Sequence, residues 1–465
     1  MRLWPVSEPA LAGLFALART AFCAYRAAAQ SFTTDEAFSY NEFISGPWAR
    51  IYGRYDANNH VLYSILAKVS MGAFGVNEFS LRLPSVLSGF FLMLGIYYVL
   101  EQSVSSRGVR WMALIAFGLH PLLLDFSIAA RGYGLSLALF IWAMYFFLRG
   151  RDILAGALAG LAVAANLTLL YPAAGFVLCP LLLRRGDIEN RIQGSLRLAF
   201  TLIAVFGAIC YEALAKATLG SFYAGSVSIT NAMLSLVAAS VRGSDRGFGL
   251  FGSRKDIDAI QWAVLPALAL FVWGKSLTLR RGPAWAPLTM LTVAIAGQIA
   301  THYMFGLNYP VDRTGLYLFL LFGVAWAIAA SGTNRWTRGA SGVLAGLLML
   351  QFITQLQTRS FQVWQYDSGA KDVARRIMEE SRGKPPASIK IGATWWLQPS
   401  LEFYRRRYGV AALQPVQRFD VTPLGGFDYY VLDLKADPTI HDGDVKRLQP
   451  LLSEPAVGVL LAKEP

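Results

Sequence analysis

Long apolar runs separated by short polar breaks occupy the first 356 positions of the chain. A helix needs about 20 mostly apolar residues to cross a bilayer. On that length the pattern predicts helices near 9–29, 82–100, 109–125, 133–149, 153–170, 171–184, 196–216, 259–279, 284–304, 313–331 and 339–356, about eleven in all. The two segments meeting at Tyr171-Pro172 are separated on the proline, because the residue before it avoids helical backbone. Longer connections fall at 30–81 and 217–258. Within the first, Val61 to Phe74 is apolar but short, which predicts a helix lying in the membrane interface with Lys68 reaching to the headgroups. Residues 41–55, with Trp48, Tyr52 and Tyr55 among charges, read the same way. After Leu356 charges return. A polar helix is predicted over 371–381, a strand over 388–394, a helix over 399–408 and a buried strand from Tyr429 to Leu432. The expected fold class is an all-α polytopic membrane domain over 1–356, followed by a small α/β extracytoplasmic domain over 357–465.

Composition supports this and adds an orientation. Of 465 residues 55% are hydrophobic and only 15% charged, with a mean hydropathy of +0.43, which excludes an ordinary soluble domain. A net charge of +13 would suit nucleic acid, but in a membrane chain an arginine excess marks cytoplasmic loops. Alternate loops carry Arg107 and Arg110, Arg149 and Arg151, Arg184, Arg185 and Arg191, Arg280 and Arg281, and Arg335 and Arg338. Those loops are read as cytoplasmic, and no nucleic-acid partner is expected. The N-terminus is then cytoplasmic, while 30–81, 217–258 and everything after 357 lie outside the inner (plasma) membrane. Ala27-Ala28-Ala29 resembles a signal-cleavage site, but Arg19 and Arg26 interrupt the apolar run, so an uncleaved first helix is expected. Cys23, Cys179 and Cys210 all sit in apolar stretches and read as packing residues.

Several charges have no place in the positive-inside pattern: Asp35, Glu36, Asp56, Lys68, Arg82, Arg131 and Arg313. Charges at membrane depth are costly and usually functional, yet each has a plainer reading. Lys68 would snorkel, Arg82 would pair with Glu78 at the i,i+4 spacing, and Asp312 would neutralise Arg313. Thr34 or Asp35 would cap a following helix. Adjacent side chains diverge, so only one of Asp35 and Glu36 is expected to aim at a shared site, and Asp35 is chosen. Arginine forks bind phosphate oxygens in pairs, and a carboxylate beside them would take a proton from an attacking hydroxyl. His120 and His302 read as packing or helix-end residues, and Asp125 as a weak acidic candidate. The glycines 243, 247, 249 and 252, with Arg242, Arg246 and Arg254, suggest a lid or acceptor contact, against the alternative of an ordinary flexible loop.

The strings Thr34-Asp35-Glu36, Asn59-His60-Val61-Leu62-Tyr63 and Phe74 through Ser85 (FGVNEFSLRLPS) resemble the first outer loop of the GT-C membrane glycosyltransferases. In particular they resemble bacterial relatives of the protein O-mannosyltransferases and of the aminoarabinose transferase acting on lipid A. Ala130-Arg131-Gly132-Tyr133 resembles that family's Arg-x-Tyr element, and Tyr309 to Arg313 its late Asp-Arg element. Trp396 to Arg405 resembles the outer tail of some members.

The resemblance implies transfer of a sugar from a polyprenyl-phosphate donor to a glycan, lipid or protein acceptor, with inversion at the anomeric carbon. By position it implies Asp35 as base, with Glu36 beside it. His60, Arg131 and Arg313, with Tyr133 and Lys68, would meet the donor phosphate, and Asn59, Asp56, Arg82 and Tyr309 would line the substrate pocket. Family members often carry Pro after the histidine and Glu before the Arg-x-Tyr element, where this chain has Val61 and Ala129-Ala130. No cofactor is read from the residues: the isolated acids and histidines show no ligand spacing, and a divalent metal stays open. A lipid-carrier flippase or a non-catalytic assembly subunit are the competing readings. The first should show repeated halves or broken helices, and neither is evident in the sequence.

Overall fold

The computed structural model describes residues 7–218, 221, 225–241, 250–251, 253–278, 285–419, 425–435, 437, 440, 442–455 and 458–464. The chain forms two compact units, one of Met1–Ala24, Tyr52–Leu66 and Leu83–Leu356, the other of Tyr25–Ile51, Ala67–Arg82 and Gln357–Pro465.

The first unit is helical. Among the described residues, five helices are long and apolar enough to cross a membrane, by length and composition: Glu78–Ser103, Ile188–Leu214, Arg254–Thr278, Ala286–Phe305 and Asp312–Ser331. Shorter apolar helices accompany them at Gly132–Leu148, Asp152–Ala165, Leu167–Leu183 and Ile229–Val241. Each predicted apolar segment has a helix, with three revisions. The segment over 109–125 breaks at His120, where Arg107–Leu119 ends and Pro121–Asp125 begins with its proline at the first turn. The division expected at Tyr171-Pro172 lies earlier, at Asn166, whose extended backbone ends Asp152–Ala165 and whose side chain caps the short turn Leu167–Leu169. Pro172 falls in the first turn of Leu170–Leu183, where its missing N–H costs nothing. The loop expected over 217–258 contains the helix Ile229–Val241. Gly243, Gly247, Gly249, Gly252, Arg242 and Arg246 lie outside the described residues, whereas Arg254 opens a short helix capped by Ser253.

Helix Asp152–Ala165 packs against both Gly132–Leu148 and Ile188–Leu214. Gly156 and Gly160, four apart, face the second of these: a Cβ on either would lie 2.7 Å from the Leu198 carbonyl oxygen or 2.6 Å from that of Leu202. Small residues at this spacing let helices approach where lipid supplies no hydrophobic drive.

The second unit carries a five-stranded sheet in the order β2-β1-β3-β5-β4, with β1 Ile391–Ala393, β2 Gln417–Arg418, β3 Tyr429–Asp433, β4 Gln449–Glu454 and β5 Val459–Lys463. β1 pairs parallel with β2 and β3, and β5 pairs antiparallel with β3 and β4. Tyr430, Leu432, Leu460 and Ala462 form a core cluster on one face. Helix Ala370–Glu380 buries Ala370, Val373, Ala374 and Ile377, the stripe of a one-sided helix. Gln398–Tyr408 is the second helix expected in the tail.

Candidate active site

Asp35 and Glu36 stand in the first turn of the short helix Thr34–Ser39 in the second unit. The cap is Thr33, not Thr34 or Asp35: the Thr33 hydroxyl accepts from the Glu36 N–H, and Glu36 Oε2 accepts from the Thr33 N–H at 2.9 Å. Glu36 is fully buried and also receives Arg82, Nε to Oε1 at 2.8 Å and Nη2 to Oε2 at 2.6 Å. The remaining Arg82 donors go to the carbonyls of Ala27, Gln30 and Ser31, and the guanidinium lies over the rings of Phe32 and Phe361. Arg82 is therefore a buried strut. Its expected i,i+4 partner Glu78 instead takes Lys371 at 3.0 Å, Arg407 and the Tyr404 hydroxyl. Lys68 does not snorkel either: its ammonium donates to the carbonyls of Ile44 and Gly46 beside the Trp48 ring. Asp35, one position from Glu36, is half-buried.

A residue the sequence does not flag lies next to it. Asp367 is buried and accepts from the Thr34 N–H at 2.8 Å, the Thr34 hydroxyl at 2.9 Å and the Ser400 hydroxyl at 3.1 Å. Burial pushes its carboxyl well above the usual carboxylate range. The three hydrogen bonds oppose the rise, and the charge of Asp35 adds to it. A raised folded pKa favours the neutral acid in the folded state. Its stabilisation is complete below the unfolded value and is lost as pH rises through the folded one. Asp367→Asn should flatten that decline and raise the thermal midpoint at neutral pH, as followed from about pH 4 to about pH 8; an unchanged slope would contradict it.

In the first unit a cavity of about 570 Å³ is lined by Asp56, Asn59, His60, Tyr133, Asn166, Tyr171, Thr301, Pro310 and Thr314 among others. The loop before Val61 is ordered by Asp56, whose Oδ1 accepts from the Asn58 N–H at 2.8 Å. Arg131 clamps that loop, donating to the Asn58 carbonyl at 3.0 Å. His60 is buried; its Nδ1 lies 3.0 Å from the Ala165 carbonyl oxygen and its ring stands edge-on to Tyr133. Burial first, then the charges of Arg131 and Arg313, hold the imidazole well below its usual range against the Ala165 hydrogen bond.

Gly132, between Arg131 and Tyr133, makes this approach possible. A Cβ there would lie 1.8 Å from the Ala165 oxygen and 2.9 Å from His60 Nδ1. Gly132→Ala should cost about 1–3 kcal/mol as an overpacked contact and weaken ligand binding in the cavity, read as a lower thermal midpoint with less stabilisation by added ligand. Arg313 pairs with Asp312 at 3.3 Å, and Asp312 sits at φ 33°, a left-handed conformation that aspartate tolerates better than most residues. Tyr309 pairs by its backbone with Ser226. Neither it nor Arg131 nor Arg313 lines the cavity. His120 caps Pro121–Asp125 and His302 closes the end of Ala286–Phe305 onto the Leu307 carbonyl. Among the described residues no cluster of histidine, cysteine and acidic side chains could hold a metal.

ArnT from Cupriavidus metallidurans in the apo state matches with a TM-score of 0.57 at 12% identity, over 97% of each chain. The fold is that of ArnT. The ArnT structure bound to undecaprenyl phosphate matches at 0.55 and 15% identity, over 98% of each chain. Arabinofuranosyltransferase AftD from mycobacteria matches at 0.52 and 13%, over 98% of this chain and 40% of AftD. No protein-family model and no curated protein matches the sequence. The architecture shared with ArnT is the GT-C fold, helical with a small sheet at the C-terminal end. Within it His60, Asn59, Asp56 and Tyr133 come together at one cavity, whereas Glu36, Arg82 and Lys68 serve the framework. Asp367 and Asn166 went unflagged. A lone Asp in a mixed polar tail carries no signal, while the capping preference of asparagine would have found Asn166.

Proposed function

We propose that the chain is a GT-C-type glycosyltransferase. It moves a sugar from a polyprenyl-phosphate carrier to an acceptor hydroxyl on the non-cytoplasmic face of the inner membrane. The observation that carries this reading is convergence: segments around His60, Tyr133, Asn166 and Pro310, far apart in sequence, line one cavity in the helical unit. A fold that matches ArnT over nearly its whole length, including the form bound to undecaprenyl phosphate, supports it. A second cavity of about 720 Å³ in the same unit is walled by apolar side chains such as Val109, Met112, Phe117, Leu268, Phe322 and Leu348, which suits an isoprenoid tail.

In the proposed reaction the acceptor O–H gives its proton to the Asp35 carboxylate as its oxygen bonds to the anomeric carbon. The bond from that carbon to the phosphate oxygen breaks, and polyprenyl phosphate leaves with inversion. A phosphate is already a stable leaving anion, so cationic potential suffices and no acid is needed. We assign that potential to Arg313 and, through the loop it holds, Arg131. The eleven apolar segments span the bilayer with the N-terminus cytoplasmic, and residues 357–465 form the extracytoplasmic domain.

The test is incubation of purified protein in nanodiscs with a panel of radiolabelled polyprenyl-phosphate hexoses and pentoses. Transfer or slow hydrolysis with an inverted product is expected. Retained configuration would refute the single displacement.

A further inference from the structure

The resemblance would give His60 to the donor phosphate; its surroundings argue for different chemistry. A carbonyl oxygen can only accept, so the 3.0 Å contact from Nδ1 to the Ala165 oxygen requires the hydrogen on Nδ1. In a neutral imidazole the other nitrogen, Nε2, then presents a bare lone pair. Burial and the two nearby arginine charges keep the ring neutral. Nε2 is itself buried and, among the described residues, has no hydrogen-bond partner, a costly state unless a ligand completes it. His60 is nine-tenths buried and lines the 570 Å³ cavity. A phosphate oxygen brings lone pairs and would be repelled by this atom. A hydroxyl brings the proton it lacks.

We propose that His60 Nε2 is the acceptor for a hydroxyl of the carrier-bound sugar, making this cavity a sugar subsite and not a phosphate subsite. The walls suit a polyol. The Tyr171 and Thr301 hydroxyls lie 2.9 Å apart, and Asn166 Oδ1 accepts from the Thr168 hydroxyl at 3.1 Å, so donors and acceptors are already paired and can be shared. The reading rests on the transferase assignment for the identity of the ligand, but its own evidence is the state of one side chain.

The test has two parts. The chain holds only four histidines, so ¹⁵N-histidine NMR in nanodiscs can identify a neutral ring protonated on Nδ1 and follow Nε2 as ligand is added. Binding of undecaprenyl phosphate is then compared with undecaprenyl-phosphate-linked mannose, glucose and arabinose, without acceptor, by native mass spectrometry. In His60→Asn the amide can still reach the Ala165 oxygen but nothing stands at the Nε2 position. It should weaken the preferred sugar-bearing lipid about tenfold and leave undecaprenyl phosphate within about twofold. His60→Gln, whose amide oxygen falls near Nε2, should recover most of the loss. Equal weakening of both lipids, an Nε2–H or charged ring, or no dependence of sugar-lipid binding on His60 would overturn the inference. Sugar-lipid binding with the predicted His60 dependence but no transfer would leave it standing and remove the transferase reading instead.

Discussion

Asp35→Asn is expected to lower sugar transfer by about 10²- to 10⁴-fold, the range for loss of a general base, with the protein still folded. Asparagine keeps the shape of the side chain but cannot take a proton. Asp35 is half-buried, and the cap and buried ion pair of this turn are made by its neighbours Thr33 and Glu36, so both survive the substitution. Donor binding should stay near the wild-type value while kcat falls, because the base acts only once the acceptor oxygen attacks. A variant with normal binding and at least a tenth of wild-type turnover would show that the base is another residue.

The largest stability effect belongs to the other half of the pair. Arg82→Leu removes a fully buried guanidinium that meets both oxygens of Glu36 and three carbonyls. A buried ion pair adds little over well-packed apolar residues, but deleting one partner strands the other charge, at a cost of about 3–5 kcal/mol. The thermal midpoint, followed by protease sensitivity of the second unit, should therefore fall sharply. Glu36→Gln should follow in the same direction. The double variant Glu36→Leu/Arg82→Leu should recover part of the loss, since no charge is left stranded. An unchanged midpoint in Arg82→Leu would contradict the strut assignment.

These two neighbours mark where sequence reading succeeds and where it stops. Apolar run length found the helices, whereas the 13-residue helix Ile229–Val241 was read as part of a loop. The proline at position 172 misled because the first turn of a helix tolerates one, and the true break needed the capping habit of Asn166. β1 and β3 were visible as short apolar runs, whereas β4 reads exposed and partly buried along its length and carries no clear alternation. Arg82 looked paired to Glu78 because only local spacing is visible in a string. Its real partner is 46 residues away. Divergence of adjacent side chains said only that one of Asp35 and Glu36 would aim at a shared site; Glu36 turns back to its own cap and to Arg82. His60 was singled out in the sequence, but the chemistry proposed for it depends on a carbonyl 105 residues away and on which nitrogen carries the proton.

The proposed transferase breaks a sugar–phosphate bond and does not merely carry the lipid across the bilayer. Proteoliposomes loaded with undecaprenyl-phosphate-linked sugar in one leaflet separate these directly, by assaying both free undecaprenyl phosphate and the leaflet of the intact donor over time. Release of undecaprenyl phosphate that depends on Asp35, with the remaining donor staying in its leaflet, is the predicted result. Intact donor appearing in the opposite leaflet with no undecaprenyl phosphate released would contradict it and identify a transporter.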